Sequence, residues 1–214
     1  MTQLHSTARP AHPAWQFTAK LLSFAINPNF CQFFIYIYLR RTADPLILGL
    51  SLLCLAALPL IGYVIYVRHV LGRDNLYVLE RRKRLVPFVI NIASVLLFVY
   101  LLQTTRLGAG RNPFQMDALA DFLIYINALT AVITLVWRIS IHMIAAAASF
   151  ALLLSIDTGF VVSATNVLLL VLLVGVGWSR WHLRGHTTPQ IVGGTFVGFF
   201  STLIFLYYRQ VLGF

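Results

Sequence analysis

Charge is what this sequence has least of. Only 10% of its 214 residues are Asp, Glu, Lys or Arg, where a soluble domain carries about 25%. A deficit that runs along most of the chain, joined to 59% hydrophobic residues, excludes an ordinary soluble fold. Carboxylates are scarcer still, six against sixteen Lys and Arg. They offer no cage for a hard cation, and the histidine spacings match no zinc site, so neither metal nor cofactor is expected. Cys31 and Cys54 both fall in apolar segments, which excludes a disulfide framework. The opening "MTQLHSTARPAHPAW" lacks the apolar core and small-residue cleavage site of a signal peptide, and residues 1–14 read as a short disordered tail. No internal repeat and no low-complexity block is visible.

What the chain does have is long apolar runs. A spanning helix needs about 20 mostly apolar residues. Runs at 45–67, 86–102, 118–137, 140–156, 160–178 and 191–208 meet that need and predict six spanning helices. A further run, 15–38, is interrupted by "INPNF" around Pro28 and is expected to kink or re-enter. The fold class is therefore all-α: a polytopic transmembrane helical bundle, with residues 15–214 as one domain. Lipid tolerates only backbones that satisfy their own hydrogen bonds, and these runs are too long and too uniformly apolar for barrel strands.

Counting crossings assigns the connectors to faces. If 68–85 lies on one side, then 138–141 and 179–190 return to that same side. Nine Lys and Arg gather there against five on the other face. A net charge of +10 carried almost entirely by short connectors argues against nucleic acid and for membrane lipids or a phosphate-bearing lipid substrate. The charge bias taken alone would make this face cytoplasmic.

Three polar clusters thus meet on one face: "RHVLGRDNLYVLERRKRLVP", "WRISIH" and "SRWHLRGH". Arginine's planar fork binds phosphate oxygens in pairs. Histidine can attack phosphorus or hand a proton to a leaving alkoxide. Arginines and histidines without a metal point to phosphoryl transfer through a phosphohistidine, with the arginines supplying the electrostatic stabilisation.

At these residues the chain resembles the type 2 phosphatidic acid phosphatases, the PAP2 superfamily, in a bacterial membrane branch. That family's third motif is S-R-x5-H-x3-D; here Ser179-Arg180 is followed by five residues, His186, three residues and Gln190. Its second motif, P-S-G-H, corresponds to Ile139-Ser140-Ile141-His142. The first, K-x6-R-P, has its weakest counterpart in "ERRKRLVPFVI". The resemblance covers roughly residues 45–208.

It implies His186 as nucleophile and His142 as general acid, then base. It implies Arg180 as the clamp on the phosphoryl oxygens, with Ser140 and Ser179 adding donors. Arg84, with Arg81 or Lys83, stands in for the first motif's cations. Gln190 occupies the position of the aspartate that orients the nucleophile, and it can accept a hydrogen bond without supplying charge. The implied activity is hydrolysis of a lipid phosphate or diphosphate: polyprenyl diphosphate, phosphatidic acid, phosphatidylglycerophosphate or a lipid A type glycolipid. It implies a bacterial inner membrane with the site on the periplasmic side, against the charge bias. A phosphotransferase would share every motif, and a catalytically impaired lipid-binding relative is the third reading.

Other features have plainer expectations. His69, His182 and Arg184 read as interfacial rim. Gly193, Gly194 and Gly198 read as helix-packing positions. Asn91 and Asn127 read as partners in interhelical hydrogen bonds, and Trp137, Trp178 and Trp181 as an aromatic belt.

Overall fold

A computed structural model describes residues 13–40, 45–72, 82–104, 113–157 and 164–212. Most of the 1–14 tail, and Arg81, lie outside the described residues. Helix is the only regular structure among those described. α1 (Pro13–Ala25) and α2 (Pro28–Arg40) precede a continuous helical run, Pro45–Val70, which contains α3 (Pro45–Ser51) and α4 (Leu58–Ile65). A 3₁₀ turn, Arg82–Arg84, leads into α5 (Leu85–Thr104). Then come α6 (Pro113–Val136), α7 (Ile141–Asp157), α8 (Ala164–His182) and α9 (Thr188–Leu212).

Four stretches are long and apolar enough to cross a membrane: Pro45–Val70, Leu85–Thr104, Ala118–Val136 and Thr188–Gln210. Of the six runs expected to span, the other two form shorter apolar helices, Ile141–Ser155 and Asn166–His182. Seventeen helical residues in α7 reach about 25 Å, a little under a hydrocarbon core of about 30 Å. Large apolar side chains face outward on several helices, among them Leu96 and Tyr100 on α5, Val171 and Val174 on α8, and Phe196 and Phe200 on α9. Spans of this kind with oily outer faces mark a membrane protein.

The expected break in 15–38 is a full separation into two helices. The Asn27 side chain accepts the Asn29 backbone N–H at 3.0 Å, capping α2, and Pro28 sits at the first helical position, where its missing N–H costs nothing. α1 then packs on α8 while α2 packs on α7. Pro59 is accommodated differently. The helix widens to a π turn over Leu52–Ala57 just before it, giving room to the carbonyls that the proline ring would otherwise strike.

The core centres on α7 and α9, which form the most extensive helix pair. Small residues allow it: Ala147, Ala148 and Ala151 are buried on α7, and from α9 Gly194 faces Ser140 and Met143 while Gly198 faces Ile144. A Cβ on Gly194 would lie 2.8 Å from the Ser140 carbonyl oxygen, and one on Gly198 would run into the Ile144 backbone. Gly193, by contrast, lies under the Trp137 ring. At one end of the bundle the Ser140 N–H donates to the Gln190 carbonyl at 3.3 Å; at the other, Arg209 meets Asp121 at 3.3 Å. α6 and α9 therefore run antiparallel, and the start of α7 is held against the start of α9.

Three asparagines inside the bundle are joined by hydrogen bonds. The Asn127 amide nitrogen donates to the Leu123 carbonyl at 2.7 Å, which fixes its oxygen toward Asn91; Asn91 donates to it at 3.1 Å and to Asn29 at 3.3 Å. The expected interhelical bond thus ties α5 to α6 and also to α2.

Candidate active site

A cavity of about 500 Å3 opens where the end of α1, the α1–α2 break, α4, α5, α6, α7 and the α8–α9 loop meet. Its lining includes Arg84, Arg138, His142, Arg180 and His186. Residues from three connectors far apart in sequence thus share one space. Apolar side chains also line it, Phe24, Pro59, Leu60 and Phe88 among them.

Local sequence explains how the α8–α9 loop presents its groups. α8 ends in a Schellman motif: Gly185 N–H donates to the Arg180 carbonyl at 3.1 Å and Arg184 N–H to that of Trp181 at 3.0 Å. Arg184 takes the left-handed conformation, φ 50°, that this motif requires. Gly185 then passes so close to Arg180 that a Cβ there would lie 2.7 Å from the guanidinium. Next, Thr187 and Gln190 begin α9 in the manner of a capping box. The Gln190 side-chain oxygen accepts the Thr187 N–H at 3.1 Å, while the Ile191 N–H bonds to the Thr187 carbonyl at 3.1 Å.

That same Gln190 oxygen lies 3.1 Å from His186 Nδ1. Because the oxygen already accepts a backbone N–H, Nδ1 must carry the imidazole proton and donate, which leaves the lone pair on Nε2. Burial, then the positive charges of Arg180, Arg138 and Arg84, push the His186 pKa down from 6.5 to about 4, only partly opposed by the Gln190 hydrogen bond. At neutral pH His186 is an uncharged imidazole with an available Nε2.

Arg180 is 6% exposed and donates through one terminal nitrogen to Ser23 Oγ at 2.8 Å; its Nε has no protein partner. His142, in the first turn of α7, hydrogen-bonds the Ser23 backbone and lies within electrostatic reach of Arg180 and His186. Arg138 stands one helical turn before His142 in sequence, and the cavity receives both.

Not every expected site residue reaches the cavity. Ser179 is fully buried and donates to the Ala19 carbonyl at 3.0 Å, so its hydroxyl pins α1 rather than lining the cavity. Ser140 is also fully buried outside the lining, its hydroxyl without a protein partner. Lys83 is exposed and away from the lining; its carbonyl accepts from the Tyr66 hydroxyl at 3.3 Å. Among the described side chains of that cluster, Arg84 lines the cavity. His182 stacks on Trp178 with ring centres 5.0 Å apart, as a rim residue would.

The cavity also contains residues the motifs did not point to: Lys20 and Ser23 from α1, Tyr63 from α4, Arg138, and the Asn29–Asn91–Asn127 group. Of these, Arg138 was flagged by "RISIH", four residues ahead of the histidine, and Asn91 and Asn127 by their place inside apolar runs. Among the described residues, no three His, Cys, Asp or Glu side chains gather as a metal site would require. The chain matches no protein-family model, no curated protein and no solved structure.

Proposed function

We propose that this chain is an integral membrane lipid phosphatase of the PAP2 type, working through a phosphohistidine at His186. The observation that carries the reading is the convergence of His142, His186, Arg84, Arg138 and Arg180, from three separate connectors, on one cavity. The chain crosses the bilayer six times, α7 and α8 among the crossings, so that these connectors share a face. That face is periplasmic in a bacterial inner membrane.

The chemistry follows from the groups present. Arg84, Arg138 and Arg180 bind the non-bridging oxygens of a phosphate monoester. His186 Nε2 attacks phosphorus as the bond to the lipid alkoxide breaks, and His142, entering this step as the imidazolium, delivers a proton to that alkoxide. Water then attacks phosphorus, the phosphorus–nitrogen bond breaks, and the proton lost by water restores the His142 imidazolium, releasing inorganic phosphate and the free imidazole of His186. Gln190 keeps Nδ1 protonated and the ring oriented throughout. The apolar lining at Phe24, Leu60 and Phe88 accommodates the lipid portion.

The test is phosphate release by the purified protein from a panel of lipid phosphates and diphosphates with EDTA present, beside His186→Ala. Release that survives EDTA and disappears in the variant supports the reading. Transfer of phosphate to a lipid hydroxyl in place of water would identify a phosphotransferase. Binding of the lipids without turnover would favour a non-catalytic relative.

A further inference from the structure

The α1 helix is separated from α2 by the capped break at Asn27, yet it does not hang free. Trp15 packs edge-on against Trp178 with centres 5.9 Å apart, Ser179 Oγ donates to the Ala19 carbonyl, and Leu22 lies against Gly175. These contacts carry the last turn of α1 to the cavity. There Ser23 meets two groups at once: its hydroxyl accepts from the Arg180 guanidinium at 2.8 Å, and its backbone bonds the His142 ring. Lys20, three residues earlier and so on the same side of the helix, also lines the cavity.

We infer that α1 is a working part of the phosphate site, with Ser23 as a positioning residue for Arg180 and His142, and Lys20 as a cation that binds the phosphate. The inference rests on the proposed phosphatase reading and adds residues that its motifs do not contain. The Ser23 hydroxyl holds one edge of the guanidinium, so that the group is oriented before substrate arrives. The backbone bond to His142 fixes which ring nitrogen carries the proton, leaving the other to exchange protons with the leaving alcohol and then with water. Lys20 offsets a deficit in the first cluster, where Lys83 is exposed and not part of the lining. A flexible ammonium adds charge without fixed direction, so it strengthens binding more than it shapes the transition state.

The experiment uses the full chain in detergent, with orthovanadate binding measured by calorimetry and turnover measured on a lipid monophosphate. Ser23→Ala is expected to weaken vanadate binding about tenfold and to lower kcat by a similar factor, with Ser23→Thr recovering most of both. Lys20→Met is expected to raise KM about tenfold with kcat nearly unchanged, and Lys20→Arg to restore KM. Phe17→Ala, a change at an exposed α1 position away from the lining, serves as the control for the helix itself and should leave both readouts alone. Wild-type binding that persists unchanged in Ser23→Ala and Lys20→Met would overturn this inference and leave the phosphatase reading intact. A loss shared equally by Phe17→Ala would reduce α1 to a structural strut and also overturn it. Failure of the wild type to bind vanadate or release phosphate would overturn both.

Discussion

The side-chain oxygen of Gln190 serves two donors at once, His186 Nδ1 at 3.1 Å and the Thr187 backbone N–H at 3.1 Å. One residue therefore orients the candidate nucleophile and caps the helix that follows it. Replacing it with a carboxylate of the same length should keep both bonds and add a charge beside the ring. Gln190→Glu is expected to raise the His186 pKa from about 4 to above 6. Gln190→Ala should lose both bonds and lower kcat about 10- to 100-fold. NMR titration of the His186 ring and kcat measured against pH check both.

The low His186 pKa also links pH to stability. Unfolding returns the ring to its ordinary value of 6.5, so between about 4 and 6.5 the unfolded chain binds more protons than the folded one. This contribution is complete above pH 6.5 and is lost progressively as pH falls toward about 4. His186→Gln should flatten that part of the stability curve. Thermal unfolding midpoints across this range, wild type against variant, make the comparison.

Helix packing around Gly198 permits little change. A methyl there meets the α7 backbone, whereas one at Gly193 meets the far edge of the Trp137 side chain, which can rotate aside. Gly198→Ala should cost about 1–3 kcal/mol by forcing α7 and α9 apart, and Gly193→Ala appreciably less. Because α7 carries His142 and α9 carries Gln190, the first substitution should also depress turnover. Detergent unfolding curves with parallel phosphate-release rates test the pair.

Two adjacent loop positions should separate stability from function. Arg184 holds a left-handed conformation, φ 50°, outside the cavity lining, and Arg184→Gly should stabilise by up to about 1 kcal/mol. Turnover should stay within about twofold. Gly185→Ala places a methyl 2.7 Å from the Arg180 guanidinium, which must then move. KM for a lipid phosphate should rise about tenfold. Unfolding midpoints and steady-state kinetics on both variants distinguish the two effects.

Much of this arrangement was readable from residue order because hydropathy and crossing parity are coarse and robust. Apolar runs located the helices, and the connectors of Arg84, His142 and His186, which parity expects on one face, line one cavity. The "INPNF" break was legible because Asn27 and Pro28 are strong helix-start residues. The role of α1 was not: the Ser23–Arg180 bond joins residues 157 apart, and no periodicity encodes such a contact. The π turn before Pro59 had no signal either, since the run reads as uninterrupted helix. Gln190 looked like a departure from a catalytic pattern, while "TTPQ" also spells a helix-capping signal that explains the glutamine locally. Ser179 matched a motif by spacing, yet spacing cannot say which way a serine on α8 turns, and it turns to α1.

The most direct measurement of the central claim is the site of phosphorylation during turnover. The His142→Ala variant lacks the group proposed to activate water, so phosphate should accumulate on the protein when the labelled lipid phosphate carries a leaving group acidic enough to depart without protonation. The expected result is an acid-labile, alkali-stable label on the peptide containing His186, absent from His186→Ala. Phosphate release by the wild type with no label at His186 in either form, or with label on another residue, would contradict it.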